Sequence, residues 1–138
     1  MKKLIYTLLV IIALTNNSFS AGTSSDSSDS SSNYTKAKNL IKAAKKYEKK
    51  GKTEKAQKRY AKAQELLLKS NKEKPLQADT LNYLGFTSRK LGDYKKGEAF
   101  YLQGLKIEPN HNGINEYLGE LYIATNRMDL AKERLNIL

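Results

Sequence analysis

The sequence predicts an all-α fold of about three stacked helical hairpins, or about six helices. The tripeptide Tyr-Leu-Gly at 83–85 recurs at 117–119, 34 residues further along the chain. Each copy begins a segment with apolar and small residues at helical spacing, and Gly92 or Asn126 marks the turn inside each segment. A hairpin of this length cannot bury its apolar face alone, so the units are expected to stack on one another.

The central unit carries the most detailed pattern. Leu84 and Gly85 lie on the first helix, Gly92 lies at the turn, Tyr101 lies on the second helix and Pro109 closes the unit. This pattern resembles the tetratricopeptide repeat family, whose units are pairs of antiparallel helices. The resemblance implies a right-handed superhelical solenoid in which Gly85 lets two helices approach closely. Gly92 is then expected to adopt a positive φ angle at the end of the first helix.

The flanking units follow the same pattern with two differences. In the third unit Asn126 replaces the turn glycine, and asparagine is the next best residue for a left-handed turn. In the first unit Gly51 precedes Gly92 by 41 residues, so this unit carries about seven extra residues, or about two helical turns, near 66–74. We therefore expect a repeat domain over 35–138, with units at about 37–74, 78–111 and 112–138.

Two glycines depart from the family pattern. Gly97 and Gly104 stand where the family usually has alanine, and glycine weakens a helix interior by about 1 kcal/mol relative to alanine. On propensity alone, we expect both residues to weaken the second helix of the central unit. The alternative to the repeat interpretation is a plain helical bundle with fortuitous spacing.

The first twenty residues predict an exported bacterial protein. Lys2 and Lys3 precede an apolar run over 4–14, and small residues follow up to Ser20. This order is typical of a signal peptide at 1–20, with cleavage before Ala21. The apolar run is shorter than the about 20 residues that span a bilayer, although retention as an anchor is the alternative. The expected location is periplasmic or secreted.

The next segment, 21–34, is predicted to be a disordered spacer. Its Ser-rich composition cannot bury enough apolar surface to order the chain. Cysteine is absent from the sequence, which excludes disulfides, thiolate chemistry and a lipoprotein anchor.

Positive charge is concentrated in the first unit. Residues 36–74 contain 14 lysines and one arginine against four glutamates, whereas 75–138 contain eight basic and eight acidic residues. This asymmetry favours an acidic or anionic partner, and the alternative is a set of solvated lysine-rich helix faces. Lysine outnumbers arginine by 21 to 4, which disfavours bidentate phosphate recognition, so no nucleic acid partner is expected.

The family resemblance implies a concave groove lined by the first helix of each unit. The predicted groove residues change from basic through aromatic to acidic along the array: Lys38, Lys42, Lys45, Asn82, Tyr83, Phe86, Arg89, Glu116, Tyr117 and Glu120. For Phe86 and Tyr117 the alternative is a core position at helical spacing. Relatives that clamp a C-terminal carboxylate have asparagine where this chain has Lys45 and Tyr83, so their pattern is not reproduced.

These features predict an exported adaptor that binds a protein or peptide in the groove. The alternative function is a basic tether that holds anionic envelope material or the membrane surface through the first unit, without spanning the membrane after signal removal. No enzymatic activity, cofactor or metal is expected. His111 is expected to be a surface residue of a loop, and Glu116 and Glu120 a solvated helix face rather than an acid–base pair.

The last helix is expected to leave an apolar surface uncovered. Leu130, Leu135, Ile137 and Leu138 lie close together in the sequence, and repeat arrays usually shield such a surface with a polar capping helix. We therefore expect either self-association through this helix or a partner that covers it.

Overall fold

The computed structural model describes residues 32–138, and this part of the chain forms six α-helices. The helices are α1 (Asn33–Lys49), α2 (Thr53–Glu73), α3 (Ala78–Lys90), α4 (Tyr94–Ile107), α5 (Asn112–Ala124) and α6 (Met128–Leu135). Consecutive helices pack as the pairs α1–α2, α3–α4 and α5–α6, and neighbouring pairs pack through α2–α3, α4–α5 and α3–α5. The predicted all-α architecture of three stacked hairpins is confirmed.

The first helix begins inside the predicted spacer. The predicted signal peptide and the spacer up to residue 31 lie outside the described residues, but α1 already begins at Asn33. Ser32 caps it, because the Ser32 hydroxyl accepts a hydrogen bond from the Thr35 backbone N–H at 3.2 Å. Tyr34 packs against the core of the first pair. The spacer boundary at residue 34 is therefore too late by two residues.

Residues with a left-handed backbone conformation end the first helix of each pair, as predicted. The φ angles are 67° at Gly51, 88° at Gly92 and 58° at Asn126. Leu76 also has a positive φ, of 60°, in the connection between α2 and α3. Pro75 marks this connection as a turn, but leucine itself is not a residue that favours a positive φ.

The extra length of the first unit lies in α2. This helix has 21 residues whereas α4 has 14, which confirms the expected seven-residue insertion. The end of α2 reaches the start of α1, where the Asn33 side-chain amide donates to the Glu73 carboxylate at 2.7 Å. The first hairpin is therefore longer at its open end than the second.

Close packing of α3 with its neighbours depends on glycine. A Cβ atom on Gly85 would overlap the buried ring of Tyr101, and a Cβ atom on Gly97 would lie 3.0 Å from the Gly85 carbonyl oxygen. A Cβ atom on Gly104 would overlap the buried Ile114 side chain. Helix propensity alone therefore does not describe Gly97 and Gly104. Alanine is the better helix former, but at these positions it would obstruct the contacts of α4 with α3 and α5.

Two apolar clusters form the core, and Tyr117 packs against both. One cluster joins α1, α2 and α3, and the other joins α4, α5 and α6 with Ala78 of α3. Leu130, Leu135, Ile137 and Leu138 are exposed at the last pair; self-association through this surface stays a prediction. Over residues 32–138, none of the helices has the length and hydropathy of a membrane span.

Replacing Gly85 with alanine is expected to destabilise the fold by about 1–3 kcal/mol, because the added methyl group overpacks a core that has no space for it. The matched control is Gly119→Ala, at the equivalent position of the third pair, where the nearest atom to a Cβ would be the Arg134 Cβ at 3.6 Å. Alanine there is expected to be neutral or to stabilise α5 by up to about 1 kcal/mol. Urea unfolding of both variants measures the difference, and equal effects would contradict the packing argument.

Candidate functional site

The first helices α1, α3 and α5 line a groove made of two adjoining clefts. The lysine cleft has a volume of about 450 Å³ and is lined by Lys38, Ile41, Lys42, Lys45, Lys46, Lys49 and Tyr83. The paired-charge cleft has a volume of about 320 Å³ and is lined by Lys45, Glu48, Lys49, Phe86, Arg89, Lys90, Glu116, Tyr117 and Glu120. Lys45 and Lys49 line both clefts, so the groove is continuous.

Nine of the ten predicted groove residues line these two clefts. The exception is Asn82, which is only 6% exposed and lies against Gly113, where a Cβ atom would approach the Asn82 amide nitrogen to 2.7 Å. Asn82 is therefore a buried contact between α3 and α5. The prediction that Asn82 lines the groove is therefore wrong.

Phe86 forms the floor of the paired-charge cleft. Its side chain is 2% exposed, and its ring centroid lies 5.8 Å from that of Tyr60 on α2 and 5.0 Å from that of Tyr117 on α5. The core alternative therefore holds for Phe86, which supports the groove from beneath. Through these contacts one side chain of α3 touches the first and the third pair.

Three cations surround the Phe86 ring. The Lys45 ammonium lies 4.6 Å from the ring centroid, the Arg89 guanidinium 5.7 Å and the Lys90 ammonium 5.7 Å. Cations at such distances are attracted by the negative face of an aromatic ring. Lys45 also donates a hydrogen bond to the Tyr117 hydroxyl at 3.2 Å, so α1, α3 and α5 meet in one cluster.

Carboxylates neutralise two of these cations. Glu48 of α1 accepts a hydrogen bond from the Tyr60 hydroxyl at 2.9 Å and from the Lys90 ammonium at 3.1 Å. Glu120 of α5 pairs with Arg89 of α3 at 2.5 Å. Both ion pairs join neighbouring hairpins, so the acidic end of the predicted groove is partly occupied by the protein's own cations.

The lysine cleft has a different character. Lys38, Lys42, Lys46 and Lys49 are exposed, Ile41 is buried beneath them, and Tyr83 forms the opposite wall with its ring 5.9 Å from that of Tyr34. Within residues 32–138, no carboxylate lies within 4.0 Å of the five lysines that line this cleft. The cleft therefore presents unneutralised positive charge beside an aromatic wall.

Burial keeps the hydroxyl groups of Tyr34, Tyr60 and Tyr83 protonated at physiological pH. Burial raises the pKa of Tyr34 to about 12, with smaller contributions from Asp79 and Tyr83. Burial also raises the pKa of Tyr83, with a further increase from Tyr117 and an opposing effect of Lys45. The pKa of Tyr60 is raised by burial and by the hydrogen bond to Glu48.

Some residues of the groove have no counterpart in the sequence prediction. Lys46 lines the lysine cleft, and Tyr60 reaches the floor from α2, a second helix of a pair. Lys46 lies four residues after Lys42 and three before Lys49, a spacing that places all three on one helix face. The sequence spacing could therefore have predicted Lys46 as a groove residue. It could not have predicted Tyr60, whose contact with the groove floor depends on how α2 packs on α3.

His111 caps α5 and is not a free surface residue. Its Nδ1 atom accepts a hydrogen bond from the Ile114 backbone N–H at 3.1 Å, and its Nε2 atom lies 3.2 Å from the Asp79 Oδ1 atom. Its side chain is 13% exposed. His111 does lie in the loop before α5, but the expectation of a surface residue is wrong, because this side chain joins α5 to α3. In the described part of the chain, no three His, Asp or Glu side chains are grouped to hold a metal ion.

The fold and the groove define an α-helical repeat protein. Residues 78–111, which contain α3 and α4, match the tetratricopeptide repeat family model. Among solved structures the chain is similar to "Second TPR of Spaghetti (RPAP3) bound to HSP90 peptide SRMEEVD", with 15% sequence identity, coverage of 76% of this chain and 91% of that chain, and a TM-score of 0.46. No curated protein matches the sequence.

Alkaline pH is expected to destabilise the fold through the buried tyrosines. An unfolded tyrosine has a pKa of about 10, whereas that of Tyr34 is about 12 in the folded chain. Below pH about 10 Tyr34 is protonated in both states, and between about 10 and 12 the unfolded chain loses the proton first. The contribution of Tyr34 to the free energy of unfolding therefore falls as pH rises through this window.

Urea unfolding at a series of pH values measures this effect, and Tyr34→Phe separates it from other titrating groups. The variant is expected to lose less stability than the parent chain between pH about 10 and 12, because it has no phenol to ionise. An identical pH dependence in both proteins would contradict the proposed environment of Tyr34.

Proposed function

We propose that this chain is a protein-interaction adaptor that binds a polypeptide segment in the groove of α1, α3 and α5. The observation that carries the proposal is the cluster around Phe86, which fixes the groove floor through cations of α1 and α3 and a tyrosine of α5. A groove whose side chains are already held in place loses less conformational entropy on binding. Stacked helical repeats use such extended concave surfaces for binding.

The groove offers three kinds of contact to a polypeptide. Tyr83 supplies an aromatic face for an apolar side chain, and aromatic residues are frequent anchors of binding energy. Lys38 and Lys42 supply exposed ammonium groups for carboxylates or backbone carbonyls. The hydroxyl group of half-buried Tyr83, which burial keeps protonated, acts as a neutral donor. Together these contacts favour an extended segment with both polar and apolar side chains.

A basic tether to an anionic surface is a second candidate, supported by another cleft. This α2 cleft, of about 500 Å³, is lined by Tyr47, Lys55, Lys58, Arg59 and Lys62. Lys58 and Lys62 form exposed ion pairs with Glu54 and Glu65, which solvent screens strongly. The cleft therefore adds positive charge outside the groove, as a contact with an anionic membrane or polymer requires.

We also propose that the chain acts after export, in the periplasm or outside a bacterial cell. The support is the order of basic, apolar and small residues over 1–20. Export would place the groove among envelope or secreted proteins. The adaptor and its partner would then meet outside the cytoplasm.

The groove proposal is tested with peptides selected from a random display library on the whole chain. Tyr83→Ala is expected to weaken binding of the selected peptides by about tenfold or more, since loss of an aromatic anchor costs about 2 kcal/mol. The matched control is Tyr94→Ala, an exposed tyrosine of α4 outside both clefts. Fluorescence anisotropy gives the Kd values, and circular dichroism checks that both variants are folded.

Equal weakening by Tyr83→Ala and Tyr94→Ala, or no selected peptide at all, would contradict the groove proposal. Binding of the chain to anionic vesicles that survives Tyr83→Ala and is lost in Lys55→Glu with Arg59→Glu would support the tether instead. Such binding should also weaken between about 0.15 M and 1 M salt, where the screening length falls from about 8 Å to about 3 Å.

Export is tested by expressing the whole chain in a Gram-negative host and fractionating the cells. The mature protein is expected outside the cytoplasm, with Ala21 at its N-terminus, because cleavage follows the small residues up to Ser20. Mass spectrometry of the purified protein reads the terminus directly. A cytoplasmic protein with residues 1–20 intact would overturn the export proposal.

A further inference from the structure

We infer that the ligand of this groove is an acidic polypeptide segment, held in the lysine cleft and not across the whole array. This inference rests on the proposed peptide binding and names the chemistry of the partner. It follows from the unequal state of the two clefts, one of which is already neutralised by the protein.

The two cations that α3 contributes to the paired-charge cleft are already paired with carboxylates of the protein. Arg89 pairs with Glu120 at 2.5 Å and Lys90 pairs with Glu48 at 3.1 Å. Both arginine and lysine also lie over the buried Phe86 ring. A ligand carboxylate would have to displace these internal partners, and a ligand ammonium would compete with Arg89 or Lys90 for the same carboxylates. This cleft therefore offers little net charge to a ligand.

The lysine cleft offers a row of cations instead. Lys38, Lys42, Lys45 and Lys49 lie at intervals of four, three and four residues, so they share one face of α1. The row spans about 16 Å at a rise of about 1.5 Å per residue. Like charges at this spacing repel one another. An anionic ligand along the row relieves that repulsion, which a neutral ligand does not.

The dimensions of the row specify the ligand further. An extended chain advances about 3.3 Å per residue, so about five residues cover the row. Successive side chains of an extended chain point to opposite sides. A segment between α1 and Tyr83 thus directs alternate side chains to the lysines and the others to the aromatic wall. The matching pattern is acidic residues at alternate positions with apolar residues between them.

This ligand differs from the one that the sequence suggests. The change from basic to acidic residues along the groove suggests a segment with opposite charges at its two ends. In the structure Glu120 is paired with Arg89, and Glu116 is the exposed carboxylate left at that end. The positive end of such a segment therefore meets little negative charge, whereas an acidic segment meets the whole lysine row.

The test uses the whole chain and two labelled probe peptides. One probe alternates Glu and Leu, and the other has Gln in place of each Glu. We expect the Glu probe to bind about tenfold or more tightly than the Gln probe at about 0.15 M salt. We expect this preference to shrink at about 1 M salt, where charges are screened beyond about 3 Å.

Charge variants show which lysines cause the preference for the Glu probe. Lys38→Glu with Lys42→Glu is expected to abolish the preference for the Glu probe, and Lys38→Gln with Lys42→Gln to reduce it. The matched control is Lys55→Glu with Lys69→Glu, which changes the net charge equally at two exposed positions of α2. The control is expected to keep most of the preference, and circular dichroism verifies that each variant is folded.

The outcomes separate this inference from the proposed function. Equal binding of both probes, lost in Tyr83→Ala, overturns the acidic ligand and leaves peptide binding intact. Failure of both probes together with failure of the random library overturns peptide binding itself. Equal loss in the α1 and α2 charge variants reveals a general charge effect and overturns the assignment to the lysine cleft. Anionic vesicles bound through Lys38 and Lys42, with no binding of the Glu probe, also overturn it.

Discussion

The packing of Phe86 is the interaction on which the rest of the groove depends. This one side chain of α3 meets Tyr60 of the first hairpin and Tyr117 of the third, and it carries Lys45 of α1 over its face. The ring therefore fixes how the first helices of three hairpins lie side by side. The ion pairs that cross between the hairpins add specificity to an arrangement that apolar contact has already set.

This arrangement divides the groove by charge. Near Phe86, cations of α3 form ion pairs with carboxylates of α1 and α5, so these charges at the centre of the array are already neutralised. Farther along α1, the lysines have no such partners in the described part of the chain. A surface with excess charge is stabilised when a partner of opposite charge arrives. The fold thus leaves a row of unpaired lysines in a cleft with an aromatic wall, where a polypeptide can be held by both kinds of contact.

The sequence predicts the hairpins well because their signals are local. Gly51, Gly92 and Asn126 mark the turns, and the long interval between the two glycines reveals the insertion in α2. The burial of Phe86 and the pairing of Arg89 with Glu120 depend on contacts between hairpins. These contacts join residues that are distant in the sequence, so periodicity alone does not specify them. Helix propensity likewise misses the role of Gly97 and Gly104, and the cap formed by His111, because each depends on a neighbouring helix.

Binding of an acidic peptide in the lysine cleft is tested most directly by an NMR titration. The isotope-labelled chain is titrated with the alternating Glu and Leu peptide, and the backbone amide shifts are followed. We expect the largest shifts along α1 between Lys38 and Lys49 and at Tyr83, with small shifts along α2 from Lys55 to Lys69 and in α6. Shifts concentrated on α2, or around Glu116 on α5, would contradict the assignment of binding to the lysine cleft.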